Sequence, residues 1–213
     1  MSECYTTIGK QAQAEIVEKR SRFIANVKPV CTEDEALMFL EEMRRTYRDA
    51  THNVYAYIVR ENNIMRYSDD GEPGGTAGLP VLDMMRTEGI CDLIAVVTRY
   101  FGGTLLGTGG LVHAYSKSAK EGLKAAGLLD MILCQRLSLT CEYTQLGKLQ
   151  HTLAGFPDVM QQEAIYADRV EIPLYLPAEQ AEDFCAAITD TMNAQVTIER
   201  GDTLYHGKKR DFS

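Results

Sequence analysis

The residues best suited to chemistry lie in one segment that mixes carboxylates with glycines, Ser68-Asp69-Asp70-Gly71-Glu72-Pro73-Gly74-Gly75-Thr76-Ala77-Gly78. Its three carboxylates fall within four residues and are of the kind that binds a cation or a ligand amine. The same segment contains ordinary turn pairs, Asp-Gly and Pro-Gly. Its four glycines in eight residues exceed what one turn requires, and they let a backbone approach another molecule closely. Ligand contact and a purely structural turn both stay open.

A second segment, residues 98–110, connects a predicted buried strand to a predicted helix through a glycine-rich loop. Loop amides and a helix N-terminus together form an electropositive concavity suited to phosphate. Arg99 adds a forked cation, and Tyr100 or Phe101 is placed either to stack on a base or to pack in the core. The spacing is neither that of a Walker loop nor that of the dinucleotide fingerprint. The pattern favours a binding concavity over a structural loop.

Catalytic patterns are lacking in the first part of the sequence. His52 and His113 are its only histidines, and no base is placed beside Cys91 or Ser68 as a nucleophile. The six cysteines include no CxxC pair, and no histidine lies at zinc-finger spacing from them. We therefore expect no metal site, cofactor or disulfide, and a binding protein is favoured over an enzyme.

Charge is unevenly distributed along the 213 residues, whose net charge is −8. Residues 1–136 hold 16 Lys+Arg and 18 Asp+Glu (16 − 18 = −2), and residues 137–213 hold 6 and 12 (6 − 12 = −6). The chain as a whole lacks the basic surface that signals nucleic-acid binding, so any RNA contact requires a local patch in the first part. The polar N-terminus and the lack of a long apolar run predict a cytoplasmic protein without a membrane partner.

The second part of the chain alternates strands and helices in the order β-α-β-β-α-β. We expect a helix capped by Thr144, and an edge or bulge at Pro173, which has no N–H for a sheet ladder. This order is that of a ferredoxin-like domain. Residues 207–213 are expected to fray, with the cluster Lys208-Lys209-Arg210 either solvated or touching an acidic partner. The predicted elements are strands near 137–143, 159–166, 170–176 and 195–200, and helices near 144–154 and 178–193.

The first part mixes both element types around a buried strand. Thr32 and Glu35 form a capping box that opens a helix. A hairpin is predicted near 54–67, a short helix over Gly78–Thr87, a central buried strand over Ile90–Tyr100, and a last helix over Gly110–Ala126.

The two glycine-rich segments, SDDGEPGGTAGLPVL and VVTRYFGGTLLGTGGLVHAYS, resemble the signature of the IMPACT family, whose bacterial members are called YigZ-like. Residues 19–25 and 50–57 support the match. The resemblance implies an α+β protein. An N-terminal α/β domain of the ribosomal-protein/GHMP-kinase type spans 1–135, and a ferredoxin-like domain similar to a C-terminal domain of elongation factor G spans 136–206, with a tail at 207–213.

The resemblance also implies a role in translation, since eukaryotic relatives act in translational control and an RNA- or ribosome-related role is inferred for bacterial members. The family usually has arginine where this chain has His113, which removes one candidate phosphate contact. The motif residues, together with that position, are the candidate ligand- or nucleic-acid-binding residues: His52, Asp69, Asp70, Glu72, Thr76, Arg99, Tyr100, Gly102, Gly103, Gly107, Gly109, Gly110 and His113.

The leading hypothesis is a translation-associated binding protein that contacts RNA or the ribosome through the glycine-rich concavity. One alternative is a protein–protein regulator that engages a basic partner through the acidic second domain. Another is a small-molecule or nucleotide-binding enzyme, with the carboxylates at 69, 70 and 72 holding magnesium. The leading hypothesis requires that the two glycine-rich segments meet in one solvent-open pocket beside a free Arg99 guanidinium.

Overall fold

The computed structural model of this protein describes residues 4–210, which divide into two compact units. The first domain comprises Cys4–Met131 with residues 207–210, and the second comprises Ile132–His206. The first boundary therefore lies four residues before the predicted one. The strands are β1 (Cys4–Ile8), β2 (Ala12–Glu18), β3 (Ser21–Pro29), β4 (His52–Val59), β5 (Ile64–Ser68), β6 (Leu93–Tyr100), β7 (Leu128–Cys141), β8 (Met160–Gln161), β9 (Ile165–Tyr166), β10 (Val170–Pro177) and β11 (Thr197–Arg210).

The helices begin and end close to the signals in the sequence. The predicted N-cap at Thr32 is confirmed, because Thr32 Oγ1 accepts from the Glu35 amide at 3.2 Å. Glu35 Oε2 accepts from the amide of Cys31 at 2.7 Å, one residue before the cap, and not from the Thr32 amide of the expected capping box. The expected cap at Thr144 is wrong, since the helix there starts after Gln145 without a side-chain cap. The α-helices are α1 (Glu33–Thr46), α2 (Gly78–Thr87), α3 (Thr108–Ala126), α4 (Leu146–Leu153) and α5 (Ala181–Thr191).

The first domain is built on a five-stranded sheet in the order β2-β3-β6-β4-β5, with every neighbouring pair antiparallel. β6 lies in the middle and is buried on both faces, as its unbroken apolar run predicts. Ala95 and Val97 face a core shared with α2 and α3, while Ile94 and Val96 face a core shared with α1. The glycine-rich loop connects the end of β6 to the start of α3, so these two packed elements fix its position.

The second domain has the ferredoxin-like order predicted from the sequence, with β11, β7 and β10 adjacent in the sheet and β8 and β9 beside β10. Its core lies between this sheet and the two helices, and Phe156 and Phe184 meet edge to face at 4.9 Å. Pro173 pairs with Ser138 on one side, and on the other side the partner strand is split into β8 and β9. The break lies opposite the proline that lacks an N–H.

Four strands depart from the sequence-based expectations. The tail is not frayed where it is described, because β11 continues through residues 207–210. β7 starts at Leu128, well before the predicted 137, and β1 and β2 were not predicted. No helix within residues 4–210 has both the length and the apolar character needed to cross a membrane.

Candidate functional site

The two glycine-rich segments meet in the first domain, as the leading hypothesis requires. A cavity of about 370 Å³ opens between the acidic turn and the loop that follows β6. We call it the loop pocket. It is lined by Thr51, His52, Glu72, Pro73, Arg99, Phe101, Leu105, Leu106, Gly107, Thr108 and Leu111.

The base of the loop pocket is a buried ion pair. Arg99 Nη1 donates to Glu72 Oε1 at 2.6 Å, and the two side chains are only 6% and 4% exposed. The Tyr115 hydroxyl donates to the same oxygen at 2.7 Å. Burial, and then the hydrogen bond to Glu72, raise the pKa of Tyr115 above its ordinary value. The expectation of a free Arg99 guanidinium is therefore wrong, because Glu72 neutralises it inside the domain.

The Arg99 guanidinium makes further contacts with other side chains of the domain. Its guanidinium lies 5.5 Å from the ring centres of Phe23 and Phe101, within cation–π range. Arg99 Nη2 approaches Ser21 Oγ at 3.4 Å, and the Gly102 amide donates to that same oxygen at 3.2 Å. Ser21 thus ties the end of β6 to the start of β3. Arg99 therefore stabilises the pocket from its buried side, through contacts with Glu72, Ser21 and Phe101.

His52 also lies beside this ion pair. Its Nδ1 lies 2.7 Å from the Asp70 carbonyl oxygen, an acceptor, so this nitrogen carries the ring proton. His52 Nε2 lies 3.8 Å from Glu72 Oε1. The ring therefore forms one wall of the pocket with its orientation fixed by the acidic turn.

The acidic turn is held by internal hydrogen bonds. Asp69 accepts from the amides of Gly75, Ala77 and Gly78 at 2.8, 3.0 and 2.8 Å, and so caps the start of α2. Asp70 Oδ2 accepts from the Asn53 amide at 2.6 Å.

Thr76 Oγ1 donates to the Pro73 carbonyl, and a Cβ on Gly78 would lie 2.5 Å from the Ser68 carbonyl oxygen. These contacts favour the structural interpretation of this segment. Within residues 4–210, no group of three or more His, Cys, Asp or Glu side chains is arranged to hold a metal ion.

The glycine-rich loop has two parts with different roles. A Cβ on Gly102 would lie 2.1 Å from the carbonyl carbon and oxygen of Arg20, so only glycine lets the turn between β2 and β3 rest on the loop. Gly107 precedes α3 with a φ of +77°, a conformation that favours glycine. The first amides of α3 have no partner within a helix, and Gly107 and Thr108 present that end at the pocket.

Several predicted site residues lie elsewhere. The strand alternation turns Tyr100 to the other face of the sheet from Arg99, where its hydroxyl donates to Asp49 at 3.0 Å and Arg22 lies over its ring. His113 is exposed on α3 and does not line the loop pocket. The pocket is lined by four of the predicted residues, His52, Glu72, Arg99 and Gly107.

Comparison with known proteins matches both domains. Residues 19–123 match the Impact N-terminal domain, and residues 139–195 match a domain of unknown function, DUF1949. The IMPACT family member YvyE of Bacillus subtilis is 37% identical over 206 residues, covering 96% of this chain and 94% of the relative. The chain belongs to the IMPACT family.

Other members show how far the likeness extends. The IMPACT family member YigZ of Escherichia coli is 35% identical over 175 residues, covering 81% of this chain and 85% of that protein. Human Protein IMPACT is 30% identical over 130 residues, which cover 53% of this chain and 40% of that protein. A crystal structure described as that of a hypothetical protein aligns with a TM-score of 0.59 at 31% identity, covering 93% of this chain and 97% of the other.

Within this IMPACT domain, several residues that were not predicted from the sequence complete the site. Tyr115 follows Leu111 by one helical turn, and that spacing is the signal that places both on the same face of α3. Ser21 and Arg20 lie in the Lys-Arg-Ser-Arg motif, which supports the family match but gives no sign that it contacts Gly102. Leu105 lines the loop pocket and is 83% exposed.

Proposed function

We propose that this protein is a translation-associated binding protein that contacts RNA, free or in the ribosome, through one face of its first domain. That face, the glycine-loop face, consists of Lys19, Arg20, Phe101, Leu105 and the N-terminus of α3. The observation that carries the proposal is the seating of the Lys19-Arg20 turn against Gly102. The backbone of a turn that carries two exposed cations thus lies against the residue that follows Phe101, and the half-exposed Phe101 lines the loop pocket together with Gly107 and Thr108 at the start of α3.

The turn itself favours a functional role for its two cations. Lys19 and Arg20 have φ values of +44° and +71°, and they form a two-residue connection between Glu18 and Ser21. Such a turn prefers Asn-Gly or Asp-Gly, because other residues are strained in the left-handed region. Strained residues of this kind cluster at binding and active sites. Two long cations at these positions are better explained by recognition of phosphate than by folding.

The other parts of the glycine-loop face suit single-stranded RNA. Phe101 is 48% exposed, and an exposed ring provides a platform on which a base can stack. The α3 N-terminus favours an anion, and lysine and arginine neutralise phosphates along the chain. In this proposal Arg99 and Glu72 position the loop, and the cations that meet RNA are Lys19 and Arg20.

Replacing the Lys19-Arg20 turn by Asn-Gly, the sequence that such a turn prefers, tests the effect on RNA binding without a loss of stability. Lys19→Asn/Arg20→Gly removes both cations and relieves the backbone strain, so we expect an unchanged or higher midpoint of urea unfolding. We expect weaker binding of oligouridylate in a filter assay at low salt. The slope of log K against log salt is negative, and each lost phosphate contact makes it shallower by about 0.7. Loss of both contacts should therefore make it shallower by about 1.4.

The matched control is Arg45→Ala/Lys117→Ala, which removes one arginine and one lysine that are exposed and make no ion pair within residues 4–210. Arg45 lies on α1, across the sheet from α3. RNA binding that is equal in the wild type and in the turn variant would overturn the proposal, as would an equal loss in the control.

A second candidate function is protein–protein regulation through the second domain. The second domain, residues 132–206, holds 4 Lys+Arg and 11 Asp+Glu (4 − 11 = −7), and Ile165 and Tyr166 are 53% and 61% exposed on β9. An exposed apolar pair within an acidic surface suits a basic protein partner. Co-sedimentation with ribosomes that survives nuclease treatment, but is lost in Ile165→Ser/Tyr166→Ser, favours this function over RNA contact.

A further inference from the structure

A second cavity lies at the opposite end of α3 from the glycine-loop face. Its volume is about 600 Å³, and it is formed by the turn after β1, the last turn of α3, the start of β7 and the end of β11. The 19 residues of α3 put it about 28 Å from the loop pocket, since a helix rises about 1.5 Å per residue. We call it the basic cavity.

All charged residues that line the basic cavity are positively charged. Four of its ten lining residues are cations and none is acidic, although the chain as a whole has a net charge of −8. The cations are Lys10, Lys124, Lys209 and Arg210. Walls that carry charge of a single sign concentrate the field inside a cleft and attract counter-ions of opposite sign. The cavity therefore differs from the rest of this acidic protein.

The four cations are not equivalent. Lys124 pairs with Glu121 at 2.8 Å and lies in the last turn of α3, where a cation complements the helix dipole. Arg210 donates to Thr6 Oγ1 at 3.0 Å and lies 3.6 Å from Asp130 Oδ1, which fixes its orientation and leaves its other N–H groups without a hydrogen-bond partner among residues 4–210. Lys10 and Lys209 are exposed and have no ion-pair partner in the described part of the chain.

Backbone contacts hold the cavity open in one geometry. The Gly9 amide donates to the Gly127 carbonyl at 2.8 Å, and Gly127 ends α3 with a φ of +72°. A Cβ on Gly207 would lie 3.0 Å from Met131 Sδ and 3.1 Å from Leu129 Cδ1. Glycine at position 207 thus lets the end of β11 lie close to β7, and this places Lys209 and Arg210 at the rim.

We propose that the basic cavity binds a ligand that carries phosphate groups and has about the size of a nucleotide. Ligand pockets span about 300–1,000 Å³, and this volume lies within that range. Lys10, Lys209 and the Arg210 guanidinium bind the phosphate oxygens, since charge-assisted hydrogen bonds to phosphate are among the strongest available. Leu128 and Leu129 supply an apolar wall for the remainder of the ligand. The phosphate belongs either to a free compound or to an RNA chain.

The test is calorimetric titration of the full chain with three probes: inorganic tripolyphosphate, adenosine diphosphate and oligouridylate. We expect saturable binding of at least one probe. Lys10→Ala/Lys209→Ala should weaken that binding about tenfold, because two charge-assisted contacts are lost. Both lysines are exposed, so the unfolding midpoint should not change. Arg45→Ala/Lys117→Ala, with the same change of charge, should bind like the wild type.

The probes distinguish the source of the phosphate. Binding of oligouridylate alone assigns an RNA backbone, and binding of the small probes assigns a free phosphorylated compound. Lys19→Asn/Arg20→Gly shows which of the two sites binds a probe. It removes the two cations of the glycine-loop face and leaves the residues of the basic cavity unchanged. The proposal fails if no probe binds saturably, or if Lys10→Ala/Lys209→Ala binds every probe as the wild type does.

Discussion

The Arg99 guanidinium is bound by the Glu72 carboxylate at 2.6 Å beneath the loop pocket, with both side chains more than nine-tenths buried. The two residues are 27 positions apart, and each comes from a different glycine-rich segment. Tyr115 from α3 donates to the same carboxylate oxygen. One carboxylate thereby joins the acidic turn, the end of β6 and the helix, which is why the two segments form one pocket.

Removing one partner of this buried ion pair should destabilise the domain strongly. Glu72→Leu leaves the Arg99 charge buried without compensation, at a cost of about 3–5 kcal/mol in the free energy of unfolding. Glu72→Leu/Arg99→Met removes both charges and should cost less than the sum of the two single changes. Urea denaturation of the four proteins gives the coupling energy directly.

The control for this cycle is Glu15→Gln, which breaks the exposed Glu15–Arg22 pair. Solvent already screens that pair, so its unfolding midpoint should stay near that of the wild type. Additive effects of the Glu72 and Arg99 changes would show that the short distance does not reflect a stabilising interaction.

Two glycines of the same loop should respond to alanine in opposite directions. Gly102→Ala places a methyl group 2.1 Å from the Arg20 backbone, so the turn or the loop must move, at a cost of about 2 kcal/mol or more. Gly109→Ala meets no atom within 4 Å and lies in the first turn of α3, where alanine should gain up to about 1 kcal/mol.

Urea denaturation measures both changes, and RNA binding should fall for Gly102→Ala, because the displaced turn carries Lys19 and Arg20. If both alanines have the same effect on stability, the close approach of the turn to the loop is not a constraint.

Local signals in the sequence predicted much of the fold. The helix Gly78–Thr87 was predicted to the residue, since glycines mark both of its ends, and the N-cap Thr32 marks the start of α1. β2 was missed because Ala12, Ala14 and Ile16 make a weakly apolar face. The end of β11 was missed because Lys208 and Lys209 have the composition of a solvated tail.

The site was predicted less completely for a different reason. The pattern within one segment carries no information about which side chain of the other segment, 27 residues away, it pairs with. The unpaired Arg99 expected from the sequence becomes structural only when Glu72 is placed beside it. The contact of the Lys19-Arg20 turn with Gly102 spans a still greater separation along the chain.

Two buried serines provide a matched pair of substitutions. Ser21 Oγ accepts from the Gly102 amide and lies 3.4 Å from Arg99 Nη2, so Ser21→Ala leaves buried donors unsatisfied and should cost about 1–3 kcal/mol. Ser118 Oγ is buried in the middle of α3 and has no hydrogen-bond partner within residues 4–210.

Ser118→Ala should therefore raise the free energy of unfolding by about 0.5–1 kcal/mol, because alanine is the better helix former and no longer buries a lone hydroxyl. Urea denaturation of the two variants decides the point. Destabilisation by Ser118→Ala would mean that this hydroxyl makes a contact that the structure does not show.

The thiol of Cys91 should make the first domain less stable in alkaline solution. Burial, with the charge of Asp92 adding to it, raises the pKa of Cys91 from 9.0 to about 11. Below pH 9 the thiol is protonated in both the folded and the unfolded chain, so its contribution to stability is fully present. Between pH 9 and 11 the unfolded chain loses the proton first, and that contribution is lost.

The midpoint of urea unfolding should thus fall more between pH 8 and pH 10 in the wild type than in Cys91→Ala, while the two proteins should show the same change between pH 6 and pH 8. An equal alkaline loss in both would mean that the thiolate is as well solvated in the folded domain as in the unfolded chain.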